Sequence, residues 1–282
     1  MDKIKKLKSN NFSLVLSGGA ALGFAHLGII KFLEENNLVP NEIIGNSMGS
    51  LIGASYAMGY SYDEILSFIK EINYLKLFSY DLGKRGIVNT KKIENFFNKT
   101  FFPKIKINQT KIPLKIICTN LENGEKKVFS SNKDNLDLTK IILASIAVPT
   151  IFKPIEVTKN SFYGDGFLVS NFPIEEAKKT NLILGVDVMS KKNLQLNKKK
   201  QKYFFINKFK ELFRQSNNSF KIMILNQTKD KIIHFKKQLI LIEPELKNYY
   251  GTNFKQYREI ITKGYNEAKL ILKNNNKIIK NS

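Results

Sequence analysis

The segment Gly45-Asn46-Ser47-Met48-Gly49 sets a serine between two glycines, each two positions away, directly after a short apolar stretch around Ile43-Ile44. Small neighbours at that spacing are what a tight strand-to-helix turn needs to present its hydroxyl at a helix N-terminus. The dipole there favours developing negative charge. Small residues continue through Ser50, Gly53, Ala54, Ser55 and Ala57, as close helix packing requires. The chemistry implied is attack by Ser47 on a carbonyl, which needs a base and a stabiliser for the oxyanion.

The base can be sought by elimination, because the chain has two histidines. His26 lies three residues past Gly23, one turn into a predicted helix, and reads as a packing or hydrogen-bonding residue. His234 follows Ser47 and Asp165 in the chain order of an α/β-hydrolase triad. Its surroundings, Lys231-Ile232-Ile233-His234-Phe235-Lys236, hold no turn signal that would present an imidazole at a sheet edge. A structural His234 is therefore the favoured reading. Asp165, between Gly164 and Gly166, sits where a turn lets its carboxylate approach another backbone, although Asp-Gly is also an ordinary turn pair.

The stabiliser points to Leu16-Ser17-Gly18-Gly19-Ala20-Ala21-Leu22-Gly23, which follows the apolar run Phe12 to Leu16. The loop lacks the Gly-Lys-Ser/Thr of a P-loop. A dinucleotide loop is excluded by Ala20, where a glycine must let the backbone reach a pyrophosphate, and by Gly45-Asn46-Ser47, where the second strand should end in an acid. Its backbone N–H groups still suit an oxyanion.

Strands are expected at Phe12–Leu16, around Ile43-Ile44, at Leu114–Thr119 and Lys127–Ser130 as a hairpin across Asn123-Gly124, at Asn181–Val188 and at Leu239–Ile242. Helices are expected at Leu22–Asn36, Met48–Tyr60, from Asp63, at Lys91–Phe97 and at Leu138–Ala147. A last one carries Tyr257, Ile260, Ile261, Gly264, Tyr265, Ala268, Ile271 and Leu272 on one face. The β-α-β-α start implies an α/β fold with a mostly parallel, doubly wound sheet. The expected divisions are a core over residues 10–190, a basic flexible loop over 191–206, and a basic extension over 207–282 that packs on the core.

With 282 residues, 43% of them hydrophobic, the chain can bury a full core. A lone cysteine, Cys118, excludes a disulfide framework and a cysteine-rich metal site, and fits a reducing compartment. No signal peptide and no apolar run of about 18 residues is seen, so a cytoplasmic protein is expected. Residues 1–190 carry a charge balance of +6 and residues 191–282 one of +16, so an anionic membrane surface would be met by the tail. Only three of the 46 basic residues are arginine, and no nucleic-acid reading module is recognisable, so no nucleic-acid partner is expected.

Taken in order, LSGGAALGFAHLG, GNSMG, CTNLENGEKKVF, ASIAVPTIFKP (residues 144–154) and DGFLVSNFP resemble the motifs of the patatin-like phospholipases, bacterial members in particular. The resemblance runs from residue 12 to about 190. It implies a three-layer α/β/α fold and a serine lipid acyl hydrolase of phospholipase A or lysophospholipase type. Ser47 would be the nucleophile and Asp165 the general base, without a catalytic histidine, metal or cofactor. The amides of Gly18, Gly19 and Ala20 would form the oxyanion hole, with Gly23, Gly45, Gly49 and Gly166 as supporting motif positions. The family loop usually carries glycine and arginine where this chain has Ala20 and Leu22, and a small residue where it has Phe167. Alanine would be strained if its position requires positive φ, and the replacement for arginine suggests packing. Rival readings are a Ser47-Asp165-His234 esterase and a weakly active lipid-binding regulatory protein.

Overall fold

The computed structural model describes residues 3–72, 90–149, 151–179, 181–193 and 207–273. Eight strands form one sheet: β1 (Phe12–Leu16), β2 (Glu42–Asn46), β3 (Leu114–Asn120), β4 (Lys126–Ser130), β5 (Ile155–Thr158), β6 (Ser161–Asp165), β7 (Leu182–Val186) and β8 (Leu239–Ile242). They run in the order β5-β6-β3-β2-β1-β7-β8, with β4 also on β3. The five strands from β3 to β8 along this path are parallel, while β4 and β6 pair with β3 antiparallel.

Successive side chains of a strand point to opposite faces, and that alternation builds two cores. Leu14, Leu16, Ile43, Ile116, Leu184 and Val186 join one, and Val15, Ile44, Ile117 and Ile183 join the other. Helices cover both faces, giving three layers. The first core is roofed by α2 (Ala25–Glu35), α3 (Met48–Ala57), α4 (Tyr62–Glu71), α5 (Thr90–Thr100), α6 (Leu138–Ser145) and α9 (Tyr257–Lys273). The second lies under the short α7 (Phe167–Ser170) and the end of the 29-residue α8 (Asn207–Phe235), through Val169, Ile232 and Phe235. A short α1 (Lys3–Lys8) precedes β1.

Most expected elements form within a few residues of their anticipated ends. The first helix differs: a 3₁₀ turn spans Ala20–Phe24, closed by Leu22 N–H on Gly19 O, and α2 starts only at Ala25. Ser61 caps α4 reciprocally with Glu64, which fixes its start. Among the strands and α-helices, α1, the β5–β6 hairpin, α7 and α8 were not anticipated. The basic loop expected over 191–206 lies, from residue 194 on, outside the described residues. The glycines at 83 and 86 also imply a loop between the helix from Asp63 and that at Lys91–Phe97, and it too lies outside the described residues. Among the described residues no helix is long and apolar enough to cross a membrane.

The C-terminal segment shares the sheet through β8, and α9 crosses α2 at two glycines. A Cβ on Gly264 would overlap the Ala25 carbonyl oxygen, and one on Gly28 the Ile261 carbonyl oxygen. Glycine to alanine in an open helix gains about 1 kcal/mol, but backbone overlap reverses the sign. Gly264→Ala is expected to lose about 1–3 kcal/mol in urea unfolding. Lys263→Ala, on the exposed side, should stay within about 0.5 kcal/mol.

Candidate active site

Strand register brings the two chemical motifs together. β2 ends at Asn46 opposite Ile117, and β6 ends at Asp165 opposite Cys118, the next residue of β3. Ser47 and Asp165 therefore emerge one step apart along β3. Ser47 has φ 51° and ψ −126°, a conformation non-glycine residues rarely adopt, and is 8% exposed at the N-terminus of α3. Such geometry costs on the order of 1–3 kcal/mol and persists only where the surroundings impose it. Here Ser47 N–H donates to Ser145 Oγ (2.9 Å), and Ser145 Oγ donates to Ile117 O (2.8 Å). The turn closes as tightly as the motif implies: a Cβ on Gly45 would lie 2.5 Å from Gly49 O, and one on Gly49 would lie 2.7 Å from Ser17 O. Gly23 fits against Met48, and Gly166 against Asn46 and Ile117.

Asp165 is 1% exposed, and burial pushes its carboxyl up to about 7. The Phe167 N–H, which donates to Oδ1 (2.9 Å), and the nearby side chains of Ser47 and Asn46 favour the charged form and partly offset burial. Oδ2 has no formed hydrogen bond among the described residues, so the Ser47 hydroxyl stands beside an acceptor with capacity to spare. Thr119 Oγ1 holds the Asp165 carbonyl oxygen (2.8 Å).

In the glycine loop, Gly18 N–H donates to Asn171 O (3.1 Å) and Ala21 N–H to Gly251 O (3.1 Å). Among the described residues the N–H groups of Gly19 and Ala20 have no partner. Ala20 is exposed and adopts φ 47°, the positive value that its place in the loop raised as a question. Leu22 is buried in the core, where it packs instead of bearing charge. Phe167 packs edge-on against Phe220 of α8, with ring centroids 5.3 Å apart.

Ser17 anchors the loop's entry. Its N–H reaches Val186 O (3.1 Å), its Oγ accepts Val188 N–H (3.0 Å), and its carbonyl accepts His26 Nε2–H (2.8 Å). Burial pushes His26 down to about 4, so it is a neutral structural donor under the loop. His234 does not join the site. It is exposed on the last turn of α8, just before β8 begins, at the opposite edge of the parallel strands from Ser47. That removes the geometric basis for a Ser47-Asp165-His234 triad. Sequence reasoning missed Ser17, Asn46, Ser145 and Asn171, whose hydrogen bonds join the loop, the serine turn and the neighbouring strand ends. Their signal was position alone, since each lies inside one of the quoted motifs. Among the described residues no group of three or more His, Cys, Asp or Glu side chains could hold a metal.

Comparison with known proteins adds to this geometry. The family profile described as "Patatin-like phospholipase" matches residues 14–178, more than half of the chain. The uncharacterized protein R571 of Acanthamoeba polyphaga mimivirus is 33% identical over 187 residues, covering 60% of this chain and 63% of that one. Lysophospholipase NTE1 of Kluyveromyces lactis is 30% identical over 195 residues, 66% of this chain but 13% of that one. These alignments span less than two thirds of the relatives' own length. The crystal structure of VipD from Legionella pneumophila aligns over 93% of this chain and 66% of that chain with a TM-score of 0.53, and at 15% identity the likeness is one of fold.

Between its unfolded value of 3.8 and its folded value of about 7, Asp165 holds a proton only in the folded protein. The associated stability is complete below the unfolded value and is lost as pH rises through 7. Asp165→Asn stays neutral throughout. In urea unfolding it should match the parent near pH 4 and exceed it at pH 8.5, by up to about 4 kcal/mol. An equal difference at both pH values would contradict the buried-carboxyl assignment.

Proposed function

Because the chain belongs to the patatin-like phospholipase family, we propose that it hydrolyses carboxylic esters of lipids with Ser47 as nucleophile and Asp165 as general base. Phospholipids and lysophospholipids are the leading substrates, the latter suggested by the fungal relative's name. The observation that carries this reading is the pairing of a strained serine at the N-cap position of α3 with a buried carboxyl whose pKa lies near 7. A base works best when its pKa is close to the working pH, and an ordinary aspartate would be far too weak.

In this mechanism Asp165 Oδ2 accepts the Ser47 proton as Oγ attacks the ester carbonyl. The Gly19 and Ala20 N–H groups stabilise the resulting oxyanion, assisted by the positive end of α3. Of the three amides expected, Gly18 is already engaged by Asn171 and supports the loop instead. Proton return from Asp165 releases the alcohol. Water then attacks the acyl-enzyme, again with Asp165 as base, and restores Ser47. The residues need no metal or cofactor for these steps. The altered loop does not favour a merely lipid-binding protein, since Ala20 reaches the positive φ that the turn requires.

The +16 balance of residues 191–282 fits peripheral attachment to an anionic membrane surface from the cytoplasmic side. Binding should then weaken as ionic strength rises.

The decisive comparison is hydrolysis of a chromogenic ester and of lysophosphatidylcholine by the parent, Ser47→Ala and His234→Ala. Ser47→Ala should lose about 10³-fold or more, and His234→Ala should retain the parent rate. For the parent, kcat/KM should fall with decreasing pH through an inflection near 7, as Asp165 takes up its proton. Full activity in Ser47→Ala, or loss in His234→Ala, would refute the assignment.

A further inference from the structure

Asn171 lies six residues beyond Asp165, just past α7, and is 2% exposed. Its carbonyl oxygen accepts Gly18 N–H (3.1 Å), and its Nδ2 donates to Gly18 O (3.5 Å). Its Oδ1 accepts from Asn46 Nδ2 (3.3 Å), on the residue immediately before Ser47. Its own N–H donates to Gln227 Oε1 of α8 (3.4 Å), while Gln227 Nε2 donates to Leu168 O within α7 (2.9 Å). Three separate chain segments supply the nucleophile, the base and the oxyanion amides, and all three meet at this residue.

We propose that Asn171 is a positioning residue that locks the oxyanion loop to the nucleophile elbow. The inference rests on the reading of Ser47, Asp165 and the Gly19–Ala20 amides given above. A carboxamide is suited to the task because it is donor and acceptor at once: one end takes the Asn46 amide proton and the other holds the Gly18 carbonyl. Gly18 also has to be glycine for the contact to form. A Cβ there would lie 2.5 Å from Asn171 Oδ1, 2.9 Å from Asn46 Nδ2 and 3.1 Å from Ser47 Cβ. The Asn46–Asn171 pair thus fills the space a loop side chain would take and fixes the distance from the loop to Ser47. Individually these bonds are long, but in a buried network they act together. Gln227 extends the network to α8, so the end of α7 that presents Asn171 is held from outside as well.

The test compares Asn171→Ala with Asn181→Ala. Asn181 is 4% exposed and donates to Ser13 Oγ (3.0 Å) at the opposite edge of the sheet, so it reports the cost of losing a buried asparagine far from Ser47. Both variants should lose thermal stability. Only Asn171→Ala should lower kcat for the chromogenic ester, by about 10- to 100-fold with KM little changed, as expected for reacting groups displaced by about 1 Å. Only it should speed amide hydrogen exchange in a peptide covering residues 17–24. Asn171→Leu keeps the volume but loses both side-chain hydrogen bonds, and should lower kcat and speed exchange as Asn171→Ala does. If the alanine variant does not fold, the leucine variant carries the same comparison. Equal kcat and exchange effects in the Asn171 and Asn181 variants, or none in either, would overturn the proposal. A parent protein without esterase activity would instead overturn the functional reading, and the exchange measurement would still decide whether Asn171 holds the loop.

Discussion

A carboxyl group held out of water without a counter-ion is the constraint around which the rest of the molecule is arranged. The chain carries a net charge of +22, yet no lysine or arginine is among the described groups that act on the charge of Asp165. Pairing it with a cation would pull the carboxyl back toward the ordinary aspartate range and make it a poor base at neutral pH. The fold instead leaves it to burial, one backbone N–H and two neutral side chains. That arrangement is destabilising by itself and is offset by burial elsewhere, most of it in the larger of the two cores. It also rests on strand ends that meet closely, since β2 and β6 end opposite consecutive residues of β3.

The glycine loop depends on a second arrangement, contributed from far along the chain. Ala20 pays on the order of 1 kcal/mol for its left-handed backbone. The Ala21–Gly251 hydrogen bond returns a similar amount, and Phe24 packs edge-on against Phe254 and Tyr257. The glycine contacts between α2 and α9 hold this brace against the core. Residues 239–273 are therefore part of what shapes the loop, which links packing in the C-terminal segment to the geometry beside Ser47.

Much of this was legible in the residues, for identifiable reasons. Phe12–Leu16 and the small-residue run from Gly45 to Ala57 have periodicity and composition that few other local structures accept. The role of Leu22 in packing could likewise be inferred from its type. The long helix α8 escaped detection because its inner face is not purely apolar. Gln227 and Lys231 turn inward there to hold Leu168, Ser170 and Glu175, and these polar residues interrupt the helical stripe. The β5–β6 hairpin was hidden because its strands are short and turn through Lys159-Asn160, with Asn160 at φ 59°. The asparagine contacts across the site were illegible for a different reason: Asn46 and Asn171 are 125 residues apart, and only the tertiary fold brings them together.

The most direct measurement is the crystal structure of the protein after reaction with a fluorophosphonate. The account predicts phosphorus bonded to Ser47 Oγ, with the phosphonyl oxygen about 2.7–3.1 Å from the Gly19 and Ala20 nitrogens, the distance expected of oxyanion-hole donors. Labelling of another serine, or a phosphonyl oxygen directed away from both amides, would contradict it.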